Sequence, residues 1–222
     1  MTTAAFDGTQ TRDWTRRFAE SVYATEAELT ALDQRAGDGD FGTNLATGVR
    51  AAGLLLDRTD GSAGPAETLG TMATAFLDEI GGTSGPLFGL LFQALSRAAA
   101  ESGPGLTTAA LADGTARGLA AIRRVGEASP GDKTLVDALA PAADALRAAG
   151  SAPPATALVT AADGAWRGVR DTASLSARMG RASYLGERAT GIPDPGAVGI
   201  ALFFASAAGT VHALGPLLRP AG

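Results

Sequence analysis

The sequence predicts an all-α fold, and three observations support this prediction. Alanine and leucine dominate the apolar residues while valine and isoleucine are sparse, which favours helices over strands. Apolar residues recur at helical spacing, as at Trp14, Phe18 and Val22. Glycine- and proline-rich breaks separate such patterns along the whole chain. Because the 222 residues contain no internal repeat, we expect one domain over residues 1–222, with its core at 12–215.

Eight helical patterns follow one another. The first contains residues 14–32, and the others cover 44–56, 66–80, 87–100, 107–125, 134–149, 155–179 and 197–214. Residues 195–218 carry no formal charge, which raises the question of a membrane span. We interpret this stretch as a buried core helix, since neither a second span nor a basic flank accompanies it.

Charge and composition argue against several classes of function. The net charge is −5 and lysine and arginine form no cluster, so we expect no nucleic-acid partner. The absence of cysteine excludes disulfides, zinc–thiolate sites and thiol catalysis. Residues 1–13 do not resemble a signal peptide. We therefore expect a cytoplasmic protein that does not enter the membrane.

Alternate loops carry the polar residues. The loops at 38–44, 81–86, 126–133 and 180–196 combine glycine with Asp, Thr, Ser or Arg, whereas the other loops are plainer. Alternate loops of an up-and-down antiparallel bundle lie at the same end. We therefore expect these four loops to form one rim, which is the arrangement that a ligand site needs.

Three carboxylates cluster at the first polar loop: Asp38 and Asp40 lie in it, and Asp33 closes the helix before it. Ionisation of all three is costly unless a cation neutralises them, and hard oxygen ligands suit Mg²⁺ or Ca²⁺. The alternative is an Asp/Gly turn that caps the next helix. From this segment alone both interpretations stay open, although an EF-hand is excluded because its later ligand positions are missing.

Two further glycine-rich loops have a ligand-binding and a structural interpretation. In the loop at 81–86, backbone N–H groups with Thr83 and Ser84 can bind phosphate at a helix N-terminus, or can cap that helix. The loop at 126–134 resembles a P-loop, but Asp132 separates the glycine from Lys133 and a helix precedes it. We reject the P-loop and leave open whether these two residues contact a ligand or form a capping pair.

The loop at 180–196 is long for a helical protein, and long ordered loops are often functional. Arg181 or Arg188 can contact phosphate there, or can form a salt bridge with Glu187. His212 is the single histidine. It lies in a predicted apolar helix, so we interpret it as a core or rim residue, and no Ser/His/Asp triad is credible.

Four segments, in this order, resemble the L subunit of dihydroxyacetone kinase: LTALDQRAGDGDFGTNLATG, GGTSGPLFGLLF, GDKTLVDALAPA and GRASYLGERATGIPDPGA. The resemblance spans residues 14–214. It implies a single-domain eight-helix antiparallel up-and-down barrel that holds a nucleotide on the loops at one end. It also implies that Asp33, Asp38 and Asp40 bind two Mg²⁺ ions, which bridge the nucleotide phosphates, and that Arg181 assists catalysis.

The resemblance further assigns the positions that bind ADP or ATP. These are Phe41, Gly42, Thr43, Asn44, Thr83, Ser84, Gly126, Leu135, Arg181, Asp194, Pro195 and Gly196. Two positions depart from the family pattern. Phe41 stands where histidine is common, so a side-chain hydrogen bond is lost, and Leu135 stands where methionine is common.

In the family, the sugar is bound on a separate DhaK-type subunit through a histidine of that subunit. The hypothesis is that this chain transfers phosphate to dihydroxyacetone, or a related short ketose, only when docked to such a partner. The donor is ATP, or bound ADP recharged by a phosphotransferase-system protein of the DhaM type. The alternatives are a kinase subunit for a tetrulose or an acyl group, and a nucleotide-sensing module that docks to a transcriptional regulator. Homodimerisation stays open.

Overall fold

The computed structural model describes residues 5–59, 61–78, 84–179 and 189–219. Helices dominate this part of the chain, which confirms the predicted all-α class. The helices are α1 (Gly8–Ala36), α2 (Phe41–Leu56), α3 (Pro65–Asp78), α4 (Ser84–Ser102), α5 (Thr108–Gly126), α6 (Val136–Ala148), α7 (Pro154–Thr172), α8 (Pro195–Ala205) and the single turn α9 (Gly215–Leu218). Two short strands, β1 (Ala5–Phe6) and β2 (Leu106–Thr107), form an antiparallel pair.

The first eight helices form a closed up-and-down barrel. Each packs against the next along the chain, and α8 returns to pack against α1. Aromatic side chains fill the space at this closure. Trp14 stacks on Phe203 at 4.4 Å between ring centroids, and its Nε1 donates a hydrogen bond of 2.7 Å to the Phe203 carbonyl. The first and last long helices are thereby joined through the hydrophobic core.

The N-terminal boundary of α1 lies further upstream than the periodicity indicated. Asp7 accepts from the Gln10 amide at 2.8 Å, and the Gln10 side chain accepts from the Asp7 amide at 3.0 Å. This capping box satisfies free amides of the first turn. The helix therefore begins at Gly8, ahead of the first apolar residue of the pattern.

The prediction of a helix over 155–179 was wrong at its C-terminal end, because α7 stops at Thr172. The chain turns at Ala173 and Ser174 through hydrogen bonds to residues three positions earlier. The Ala173 carbonyl then accepts from the Gly191 amide at 2.7 Å. Distant backbone thus satisfies the end of this helix, and the periodicity of a local window cannot show that.

The prediction of a helix over 197–214 was also too long, since α8 ends at Ala205. Arg17 of α1 donates to the carbonyls of Ser206 and Ala207 at 2.8 and 2.9 Å, which satisfies acceptors at this helix end. His212 consequently lies outside the helix and is exposed, so a core position within an apolar helix was wrong. No helix in the described ranges combines the length and the apolar character that a bilayer span requires.

Candidate functional site

A cavity of about 220 Å³ is lined by residues from four connections between helices. Asp38 comes from the α1–α2 turn, Ser84 from the start of α4, Lys133 from the α5–α6 loop and Asp194 from the residue before α8. These are the alternate connections of the barrel. The described parts of the four polar loops therefore meet around one cavity.

One wall of the cavity carries the carboxylate cluster. Asp33, Asp38 and Asp40 each offer a carboxylate oxygen, and these three atoms lie within 4.8 Å of one another. Asp33 is buried in the last turn of α1, whereas the other two are exposed on the turn that follows. One buried and two accessible oxygen ligands are a donor set that fits a hard divalent cation.

Glycines allow this turn to bring the carboxylates together. A Cβ at Gly37 would collide with the Asp33 carboxylate. Gly39 has a φ of +82°, a left-handed conformation that side chains disfavour. The turn then places the Phe41 amide 3.0 Å from Oδ2 of Asp33, to which it donates. The Asp33 carboxylate is thereby oriented before any cation arrives.

Burial and two neighbouring carboxylates make the ionised form of Asp33 costly. Burial raises the pKa of Asp33 above its ordinary value, and the negative charges of Asp38 and Asp40 add to this effect. A divalent cation would offset both causes. Asp40 occupies the N-cap position of α2, yet its side chain makes no capping hydrogen bond.

The opposite wall is the N-terminus of α8. The Asp194 carboxylate caps this helix by accepting from the Ala197 amide at 2.7 Å. The Asp194 amide donates to Oγ1 of Thr172 at 2.9 Å, which attaches the wall to the end of α7. Although the residue is partly exposed, the surrounding protein desolvates its carboxyl group, and this burial raises the pKa of Asp194 to about 7.

The loop before α6 forms the floor between these walls. The Asp137 carboxylate accepts from the amides of Gly131 and Thr134, at 2.5 and 2.7 Å, and so folds the loop back onto α6. Lys133 is only 1% exposed, and its Nζ donates to two backbone carbonyls. Burial lowers the pKa of Lys133, while the charges of Asp194 and Asp137 oppose this effect.

Apolar side chains complete the cavity. They include Leu87, Ile122, Ala128, Leu135, Val136 and Met179. Apart from Leu135, sequence reasoning did not assign these residues to the site, because on a helical pattern they are indistinguishable from core residues. An apolar chamber beside a carboxylate cluster suits a ligand with a flat apolar part and an anionic part held through a cation.

Most of the positions expected to bind nucleotide or metal line this cavity. They are Asp33, Asp38, Asp40, Phe41, Asn44, Ser84, Gly126, Leu135, Asp194, Pro195 and Gly196. Two others do not: Thr43 is exposed outside the lining, and Gly42 is buried against α1, where an added Cβ would approach the Glu26 carbonyl to 2.6 Å. Thr83 and Arg181 lie outside the described residues.

The ring of Phe41, which stands where the family commonly has histidine, packs into the core. Its centroid is 6.4 Å from that of Phe88. The ring also lies against Gly199 of α8, where an added Cβ would come within 2.9 Å of the ring edge. Only 6% of Phe41 is exposed. Its one hydrogen bond toward the carboxylate cluster comes from the backbone amide.

Comparison with known proteins yields relatives of two lengths. The chain is 41% identical over 186 residues to "L-erythrulose 1-kinase" of Mycolicibacterium smegmatis, covering 83% of this chain and 32% of that protein. It is 35% identical over 201 residues to "PEP-dependent dihydroxyacetone kinase, ADP-binding subunit DhaL" of Escherichia coli, covering 86% of this chain and 91% of that subunit. The chain thus spans about a third of the length of the longer relatives, which include the M. smegmatis kinase.

The fold is also found in a solved structure. The dihydroxyacetone kinase of C. freundii in complex with AMP-PNP and Mg²⁺ matches with a TM-score of 0.66 and 29% identity, over 90% of this chain and 33% of that one. A family model described as the DAK2 domain matches residues 35–209. The chain therefore belongs to the DAK2 domain family.

Proposed function

We propose that this chain binds ADP or ATP through Mg²⁺ and serves as the nucleotide-binding part of a kinase that phosphorylates dihydroxyacetone or a related short ketose. The observation that carries the proposal is the carboxylate cluster, whose three oxygens lie within 4.8 Å of one another at the wall of a partly apolar cavity. The AMP-PNP and Mg²⁺ complex of the similar C. freundii kinase supports it.

The residues present suit phosphoryl transfer, which depends on positioning and on charge neutralisation. Asp33, Asp38 and Asp40 would hold Mg²⁺, for which we propose two ions, and bound Mg²⁺ would neutralise phosphate charge. The apolar chamber would receive the base and exclude water from it. Arg181, which lies outside the described residues, is proposed to assist by charge.

The sugar requires a second binding site, which we propose is provided by a DhaK-type domain or subunit. In the family, that partner binds the sugar through a histidine. The single histidine of this chain, His212, is exposed and does not line the cavity. We therefore expect transfer to dihydroxyacetone only in the presence of a K-type partner. A cytoplasmic location fits this activity.

Calorimetric titration of ADP into the purified chain tests the nucleotide site. We expect binding with Mg²⁺ present, loss of binding in EDTA, and a decrease in affinity of about tenfold or more in Asp38→Asn, because one cation ligand is lost. Asp163→Asn is the matched control, since it makes the same change on the exposed surface of α7.

Equal affinity for ADP in Mg²⁺ and in EDTA would contradict the metal-bridged site. Absence of binding in every condition would reduce the relationship to one of fold. An equal loss in the Asp163 control would show that the effect of Asp38→Asn does not report on the carboxylate cluster.

A second candidate acceptor is erythrulose. The identity of 41% to the M. smegmatis L-erythrulose 1-kinase exceeds the 35% found for the E. coli subunit. Because the acceptor is bound by the K-type partner, initial rates with dihydroxyacetone and with each erythrulose enantiomer should be compared with the same partner. The ratio of kcat/KM values identifies the acceptor. Supplying ATP or a phosphotransferase-system donor in parallel identifies the phosphate source.

A further inference from the structure

Lys133 is the only lysine among the 18 lysine and arginine residues of the chain. It is also only 1% exposed, whereas charged side chains are rarely buried unless their hydrogen bonds are satisfied. Among the lining residues that the structure describes, it carries the positive charge of a cavity that holds four aspartates. The burial of the Lys133 ammonium group beside this cavity therefore needs a structural explanation.

Its hydrogen bonds join three segments of the chain. Nζ donates to the carbonyl of Thr172 at 2.5 Å, where α7 ends, and to the carbonyl of Ile192 at 2.6 Å, in the segment that leads to α8. Lys133 itself lies in the loop before α6, with a φ of +63°. One ammonium group therefore connects the loop before α6 with both ends of the α7–α8 connection.

The joined segments are those that shape the cavity. Thr172 accepts the amide of Asp194, the first of the three residues at the α8 wall. The α8 wall also lies close to the residue before α6, because a Cβ added at Gly196 would come within 3.3 Å of Cβ of Leu135. If the hydrogen bonds of Lys133 broke and these segments separated, the α8 wall would therefore move away from Leu135.

We propose that Lys133 is a positioning residue of the nucleotide site, whose buried ammonium holds Asp194, Pro195 and Gly196 against the loop before α6 and so sets the width of the cavity. The inference rests on the proposed function, because it concerns affinity for Mg–ADP. Neither a transferred phosphate nor a reacting atom is assigned to Lys133, which acts through the segments that it joins.

Lys133→Met is the test variant, because it keeps the length and apolar stem of the side chain and removes the donors. Two buried carbonyls then lose charge-assisted hydrogen bonds. We expect affinity for Mg–ADP to fall by about tenfold or more in calorimetry. The control is Arg147→Met, because Arg147 is a cation on the exposed face of α6 that forms an ion pair with Asp144. Its affinity should stay within about twofold of the parent.

If Lys133 stabilised the fold without influencing the site, Lys133→Met would lower the stability and leave the affinity of the folded fraction for Mg–ADP unchanged. Both variants are therefore measured by thermal unfolding alongside calorimetry. Parent-like Mg–ADP affinity in folded Lys133→Met would overturn the proposal.

A spectroscopic measurement on the unaltered protein keeps the proposal falsifiable if Lys133→Met does not fold. Because the chain has one lysine, ¹⁵N-lysine labelling gives one side-chain Nζ resonance. We expect slow exchange with solvent and a change in chemical shift on saturation with Mg–ADP. Rapid exchange, or a shift that Mg–ADP leaves unchanged, would contradict the proposal.

The two proposals fail in distinguishable ways. If the parent protein does not bind Mg–ADP, the proposed function fails, and the contacts of Lys133 are still tested by hydrogen exchange of individual N–H groups, measured by NMR. Lys133→Met should lose protection at the Asp194 amide but not at the Trp14 indole N–H, which lies in the core. Unchanged protection at Asp194 would show that Lys133 does not hold this wall.

Discussion

Phe41 contacts both the hydrophobic core and the carboxylate cluster. Its ring packs against Phe88 and Gly199 inside the barrel, while its amide donates to Asp33. Interiors are close-packed, so a shift of the ring moves the backbone that carries this amide. The orientation of a buried cation ligand is therefore linked to packing against α8.

Gly199→Ala tests this link. The added Cβ would lie 2.9 Å from ring atoms of both Phe41 and Phe88, so the rings must move. We expect a loss of about 1–3 kcal/mol in the free energy of unfolding and weaker binding of Mg–ADP. In a double-mutant cycle, Phe41→Leu should recover part of both losses, because it shortens the obstructing side chain. Additive effects would show that the two positions are independent.

Asp194→Asn tests whether the stability of the protein depends on the protonation of Asp194 and therefore on pH. The pKa of Asp194 is about 7 in the folded protein against an ordinary value of 3.8. Between these values the folded state binds the additional proton, so this group stabilises the fold at low pH and the contribution is lost as pH rises toward 7. Asparagine retains a capping acceptor but does not titrate.

The measurement is denaturant unfolding from pH 4 to pH 8 without Mg²⁺ or nucleotide. The stability of Asp194→Asn relative to the parent should increase with pH, with a slope that approaches about 1.4 kcal/mol per pH unit and levels off above pH 7. A difference that is constant over this range would contradict the elevated pKa.

At the scale of elements, the contact between α6 and α7 depends on the absence of side chains. Gly168 lies directly against the Asp137 carbonyl, and a Cβ at Gly164 would come within 2.8 Å of the Pro141 carbonyl. Pro141 lies inside α6. This close approach positions Asp137, whose carboxylate folds the loop before α6, relative to the end of α7.

Gly168→Ala should therefore destabilise the protein, although alanine is the better helix former. We expect the free energy of unfolding to fall by about 1–3 kcal/mol, since backbone must move to admit the methyl group. Gly53→Ala is the matched control: it is also a helical glycine, but an added Cβ meets nothing within 4 Å. Its stability should rise by about 0.5–1 kcal/mol. A gain in stability at both positions would refute the packing argument.

In the whole molecule, one ligand in the cavity would contact the four connections between helices that line it, and these connections belong to all eight helices of the barrel. Binding to the folded state alone stabilises it by mass action, by about 2.7 kcal/mol at a ligand concentration of 100 Kd. For a chain of this size that corresponds to a rise in Tm of roughly 5–10 °C. Mg²⁺ and ADP together should produce this rise, whereas Mg²⁺ alone should give less. Because Asp38→Asn should weaken binding by about tenfold or more, it should reduce this rise by about half or more, as differential scanning calorimetry would show.

Local patterns were sufficient for the number and order of the long helices, because each buries an apolar stripe that a window of sequence displays. They failed at the ends of α7 and α8. Those ends are satisfied by Gly191 and Arg17, residues that lie far away along the chain. The capping box of Asp7 and Gln10 has a local signature, but it lies upstream of the apolar period, which begins only at Trp14.

Composition, short spacing and the alternation of an antiparallel bundle were sufficient to predict the helical class, the grouping of the three carboxylates and the shared rim of the alternate polar loops. Three features became visible only in the folded chain: Gly42 packs against α1, the ring of Phe41 lies in the core, and Lys133 joins two distant carbonyls. The physical reason is that burial and hydrogen bonding across the barrel depend on contacts between segments far apart along the chain, which local periodicity does not encode.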